Sequence, residues 1–206
     1  MTFSICLVFI LLALFFSSVF FFRTALNYNY RNIDNALTDA LLGGAIVDLK
    51  EYAVTGNILI TDAKISDNDN ETYLSQSFNL FDRCLNANLI DKKNYGQNIK
   101  NVRVVKYVIF NVSGNTISAY IFDNPQSNHA SYHKASDNEL NNLFDNDPVE
   151  HKITTSDGVI AITKTSVYAK LDFELKTAPN FLWNMSIDKN NAWQTLSLSR
   201  CIAITN

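Results

Sequence analysis

Hydrophobic and polar positions divide the chain into an unbroken apolar run, two helical stripes and a series of strand alternations. Phe3 to Phe22, FSICLVFILLALFFSSVFFF, carries no charge and has the length of about twenty residues that an α-helix needs to cross the hydrocarbon core of a bilayer. Beyond Arg23 the apolar positions narrow to a stripe. Ile33, Ala36, Leu37, Ala40 and Leu41 recur at helical spacing, with Asn32, Asp34, Asn35 and Asp39 around the other face. No Pro or Gly intervenes before Gly43-Gly44. One helix is therefore expected from about Phe3 to Leu42, roughly 60 Å long at 1.5 Å per residue, with a break or bend at the two glycines. A second amphipathic helix is predicted from Glu71 to Leu89, because Leu74, Phe78, Phe81, Leu85 and Leu89 fall on one face. Asp69 or Asn70 can cap its first turn, a short side-chain oxygen accepting from an otherwise unpaired helix N–H. Between the helices, Ala45 to Tyr52 reads as a further helical turn or an extended piece. Gly56-Asn57 marks a turn into the short strand candidate Ile58 to Thr61, and a polar loop follows from Asp62 to Asn70.

After Asn98 the period changes to two. Val102 to Val112 and Thr116 to Phe122, joined across Ser113-Gly114-Asn115, read as a β-hairpin. In Thr165 to Leu175 the residues Val167, Ala169, Leu171, Phe173 and Leu175 alternate with Ser166, Tyr168, Lys170, Asp172 and Glu174, the signature of a half-buried strand. Asp157-Gly158 supplies a turn before Val159 to Ile162, and Leu196, Leu198, Ile202 and Ile204 predict a last strand. Asp123 to His151 is polar and weakly patterned, a long surface excursion in which only Glu139 to Phe144 looks helical. No internal repeat is found. The fold expected is α+β: a long N-terminal transmembrane and stalk helix, a second amphipathic helix and a mainly antiparallel β-sheet. Residues 1–42 form the anchor and stalk, with the membrane part at about 3–22, and residues 43–206 form one domain.

Charge and composition then narrow the partners. A net charge of −3 and no long Lys/Arg run leave no clustered cations for phosphates, so no nucleic-acid partner is expected. The start MTFS lacks the basic residues of a signal peptide and the apolar run exceeds a signal core. It reads as a retained anchor, the alternative being a secretory signal cut near Ala25. The first cations, Arg23 and Arg31, follow the run and by the positive-inside rule favour a cytoplasmic domain. The short N-terminal tail favours an exported one, and an extracytoplasmic domain is the expectation adopted. Of the three cysteines, Cys6 lies in the apolar run. Cys84 and Cys201 either pair, as would suit an exported domain, or are two small buried hydrophobes.

Candidate chemistry is sparse. His129 and His133 have the i, i+4 spacing of two metal ligands on a helix, but the surrounding Ser127-Asn128 and Ser131 read as loop and nothing completes the set. Asp67-Asn68-Asp69-Asn70-Glu71 resembles the start of a calcium loop, yet Thr72 and Phe78 stand where glycine and an acidic residue are needed. A helix-capping loop is the better reading. With six glycines and no GxGxxG or GxxxxGK pattern, nucleotide cradling has no support. The triplets at Asn70, Asn111 and Asn184 match a glycosylation acceptor but arise by chance in an Asn-rich chain. Phe181, Trp183 and Trp193 are better taken as packing than as an exposed patch. No catalytic, cofactor-binding or metal residue is assigned, no cofactor or small-molecule substrate is expected, and the protein is read as not an enzyme.

An N-terminal apolar helix running into a stalk, then an amphipathic helix and a sheet-forming C-terminal half, resembles the order of pilins and pseudopilins. Ile33-Asp34-Asn35-Ala36-Leu37-Thr38-Asp39-Ala40 into Val47-Asp48-Leu49-Lys50-Glu51-Tyr52, then Thr55-Gly56-Asn57 and Thr165-Ser166-Val167-Tyr168-Ala169-Lys170-Leu171, look like tight-adherence (Tad, TadE-like) pilus proteins of Gram-positive bacteria. The likeness covers about two-thirds of the chain. Members commonly carry an early acidic residue and a cleavable basic leader, whereas Ile5 and its neighbours are apolar and no leader is visible. The resemblance implies a non-catalytic structural subunit, a minor pilin or pseudopilin of a Tad-type surface pilus or related secretion apparatus. Its partners would be membrane lipid and other pilins met through the Phe3–Phe22 face. The alternative is a membrane-anchored extracytoplasmic binding or sensory domain.

Overall fold

The two helical stripes meet each other and one face of a sheet. In the computed structural model, residues 2–45, 70–89, 99–114, 116–123, 125, 131–144, 150–176 and 193–203 are described. Helix α1 spans Thr2–Ala45 and α2 spans Asn70–Leu89. Seven strands follow: β1 (Ile99–Ser113), β2 (Thr116–Asp123), β3 (Ser131–Lys134), β4 (Lys152–Thr155), β5 (Gly158–Ala161), β6 (Ser166–Lys176) and β7 (Trp193–Ala203). A short helix, α3 (Asp137–Leu143), lies between β3 and β4. The architecture is α+β, as the sequence pattern implies. Five strands form an antiparallel sheet in the order β3-β2-β1-β6-β7, and β4-β5 is a separate hairpin.

One face of the sheet carries the main core. Ile33, Leu37, Ala40 and Leu41 of α1 and Leu74 and Phe81 of α2 lose all solvent contact, packing with Tyr107, Ile109, Val167, Ala169, Leu171, Phe173 and Leu198. Both predicted stripes and the alternation in β6 are realised. An aromatic cluster fills the centre: Tyr107 lies 4.7 Å from Phe81, 5.4 Å from Phe78 and 5.1 Å from Phe122 between ring centroids, within the range where edge and offset geometries are attractive. The opposite face is covered by α3 and the hairpin, whose Leu140, Phe144, Ile153 and Ile162 pack with Val108, Phe110 and Ala119. The domain is thus layered as helices, sheet, then a small helix and hairpin.

Two expectations need correction. Gly43-Gly44 does not break α1, which continues to Ala45. A Cβ on Gly44 would lie 2.5 Å from the Tyr107 hydroxyl and 3.0 Å from Phe81 Cβ, and one on Gly43 2.7 Å from Cys84 Sγ. The glycines are there because α1 and α2 approach too closely for side chains. Besides the expected short helix, α3, the Asp123–His151 excursion contains β3, which pairs with β2 from Tyr120↔Lys134 to Asp123↔Ser131. His133 accordingly sits on an edge strand, not in a loop. Of the two readings for the cysteines the unpaired one holds: Cys84 packs against the main core and Cys201 against the opposite-face cluster, and both are free thiols. The sheet stands between them.

The predicted hairpin forms, Ser113 pairing with Thr116, with Gly114 at φ +59 in the left-handed region that glycine adopts without cost. Expectations for residues 46–69, the side chains proposed to cap α2, His129, Phe181, Trp183 and Asn184 fall outside the described residues. Asn111, by contrast, is buried within β1.

Candidate functional site

Among the described residues, the N-terminal half of α1 carries most of the exposed large apolar side chains. Its 44 residues are continuous helix, about 66 Å at 1.5 Å per residue. From Ile5 to Phe21 the large apolar side chains stand clear of the domain; Phe9 is 67% exposed and Phe21 70%. Leaving so much apolar surface in water is unfavourable by about 25 cal/mol per Å², so this segment requires an apolar surrounding. By length and composition α1 can cross a membrane, a property that signal sequences near an N-terminus share. Cys6 lies exposed on this segment.

The helix changes environment within a few residues. Tyr30, partly buried, places its ring 6.1 Å from that of Phe173, and Ile33 is fully buried. The next residue, Asp34, belongs to an ion-paired clamp that sequence reading missed. Arg200 of β7 donates from Nε to Asp34 Oδ1 at 2.6 Å and from Nη2 to Asp34 Oδ2 at 2.7 Å, a two-pronged pair. Its buried Nη1 makes an ion contact at 2.5 Å with Asp157 Oδ2 at the tip of the β4-β5 hairpin, without an aligned hydrogen bond. The Arg200 side chain is only 13% exposed. The hydrogen bonds it donates to Asp34 make Arg200 hold its proton more firmly than usual, against the opposing effect of burial. The tip is fixed to β7 a second way: Ser156 N–H donates to Ser199 O at 3.1 Å, and Ser199 N–H donates to Ser156 Oγ at 2.9 Å. One arginine thereby joins stalk, sheet edge and hairpin.

At the far end of α1 another buried group terminates the helix. Ser77 Oγ donates to Gly44 O at 2.7 Å, satisfying one of the carbonyls that a helix end leaves unpaired. With its one proton so used, it accepts from the Tyr107 hydroxyl at 2.8 Å. Burial pushes the Tyr107 phenol well above its ordinary range. Both residues lack solvent contact, so this hydroxyl pair braces the helix junction and offers no accessible nucleophile.

A third cluster lies near the β3 edge. His133 Nδ1 is 2.9 Å from Asp123 Oδ2, and its Nε2 is 3.1 Å from Glu139 Oε1. Glu139 also accepts from the Ser136 N–H at 2.9 Å and hydroxyl at 2.8 Å, closing a capping box on α3. Bonds to Asp123 and then Glu139 raise the His133 pKa. Bonds from the Ser136 backbone and side chain, and then from His133, bring Glu139 down to about 2. Ser136-Asp137-Asn138-Glu139 is a recognisable capping-box sequence, and it was the available signal for this cluster. With both ring nitrogens engaged by carboxylates, His133 has no free position for a metal. Among the described residues no group of three His, Cys, Asp or Glu is arranged to hold one.

Compared with protein-family models, curated proteins and solved structures, the chain finds no match.

Proposed function

We propose that this protein is a membrane-anchored, non-catalytic structural subunit of pilin or pseudopilin type, of the Tad class of surface pilus or a related secretion apparatus. The supporting observation is the division of labour along α1: one uninterrupted helix whose first half is uncharged from Phe3 to Phe22 and exposes mainly apolar side chains, and whose second half is the spine of an α+β domain. Such a helix stores the subunit in lipid, with the domain extracytoplasmic. On assembly it exchanges lipid contacts for contacts with the helices of other subunits, driven by close packing rather than by water exclusion. The Arg200–Asp34 pair suits this role, because it keeps the emerging stalk fixed to the domain as the apolar half changes partners.

The test is to shear cells producing the protein, pellet filaments and probe both the pellet and the membrane fraction. Recovery with filaments is the expected result. Retention in the membrane alone would overturn the filament role and leave a stationary anchored component.

A further inference from the structure

The outer face of β1 and β6 carries a row of paired charges with one exception. Arg103 lies opposite Asp172, with Nη2 3.3 Å from Oδ2, and Lys100 opposite Glu174, with Nζ 3.2 Å from Oε2. At the next rung Lys106 faces Lys170. Like charges directly opposed across a strand pair are destabilising, and among the described residues neither ammonium has an ion-pair partner. Burial, and then the charge of Lys170, make Lys106 give up its proton more readily than usual. Beside it opens a recess of about 110 Å³ between α3, β4 and the sheet. Lys106, Asn142, Thr154 and Tyr168 give it polar walls, and Phe110, Leu143 and Ile153 an apolar one.

We propose that this recess is a binding site for a small carboxylate bearing a short apolar stem, its charge held by Lys106 with support from Lys170 and its stem against Phe110, Leu143 and Ile153. An anion there turns the one repulsive rung into an attractive one. The apolar wall selects against a fully hydrated inorganic oxyanion, which would lose solvation on that side without compensation. Asn142 adds an amide that can donate to the second carboxylate oxygen. The site does not depend on the anchor or on filament assembly, since every group that forms it belongs to the domain.

The experiment melts the full chain in detergent micelles across propionate, phosphate and chloride series at matched pH and ionic strength. Propionate is expected to raise Tm saturably by about 2–4 °C, with no saturable rise from phosphate or chloride. Lys106→Gln and Lys170→Gln are each expected to fold and to lose most of that response. No rise with propionate, an equal rise with phosphate, or a full response in both variants would overturn the assignment. Should either variant fail to fold, the other and the wild-type anion comparison still decide the matter.

Discussion

Gly44 shows how a single position can invert a local rule. In an isolated helix, Gly→Ala stabilises by about 1 kcal/mol. Here the added carbon meets the Tyr107 hydroxyl at 2.5 Å and Ser77 O at 3.2 Å, inside the network that closes the end of α1. Gly44→Ala is therefore expected to destabilise by about 1–3 kcal/mol, measured by chemical denaturation. The sequence contained the two glycines but not this reason for them, because the atoms they make room for belong to α2 and β1. His133 gives a second residue-scale expectation. Its protonated form is favoured in the folded chain, so its contribution is complete below the ordinary value of 6.5 and fades as pH rises through its raised value. Glu139, held down to about 2, contributes fully above its ordinary 4.5 and loses that contribution as pH falls towards 2. The Tm difference between wild type and His133→Gln should accordingly be greatest from about pH 4.5 to 6.5 and shrink on the alkaline side. Identical pH profiles for the two proteins would remove His133 from the explanation.

At the scale of elements, legibility followed how regular each period is. The α1 and α2 stripes and β6 keep one period throughout, and their apolar positions are the buried ones. β1 does not: register shifts between Lys100 and Arg103 and between Val104 and Lys106 change which side faces the core, so Val102 and Val104 share it with Tyr107 and Ile109. Asn101, at φ +56, sits in the first irregularity. β3 has only Ser131, Tyr132, His133 and Lys134, too short and polar for a pattern, and it becomes a strand through pairing with β2. The α1–β7 clamp was equally invisible, since Asp34 and Arg200 stand far apart in the chain and spacing says nothing of their meeting. Its strength can be measured. A double-mutant cycle with Asp34→Asn and Arg200→Gln should give a coupling of about 1–3 kcal/mol. A value near zero would reduce the pair to an exposed ion contact of little consequence. Leu41→Asp should be worse than either single change, placing an unpaired carboxylate where the leucine has no solvent contact.

For the whole molecule, the sheet decides which side chains can meet. Cys84 and Cys201 lie on its opposite faces, so mass spectrometry of the full chain under non-reducing conditions should find both as thiols. Cys201, pushed up to about 12 chiefly by burial, should resist maleimide until the protein unfolds. The unbroken course of α1 has a geometric consequence as well. Because its C-terminal stripe is locked into the core, the compass bearing of every side chain between Ile5 and Phe21 is set by the domain. Adding one alanine between Arg23 and Asn29 would swing that whole half through about 100°, while adding seven would return it to within about 20° of its starting direction. The molecule behaves as a dial whose pointer is the apolar half of α1, and the number of residues in the stalk chooses its bearing.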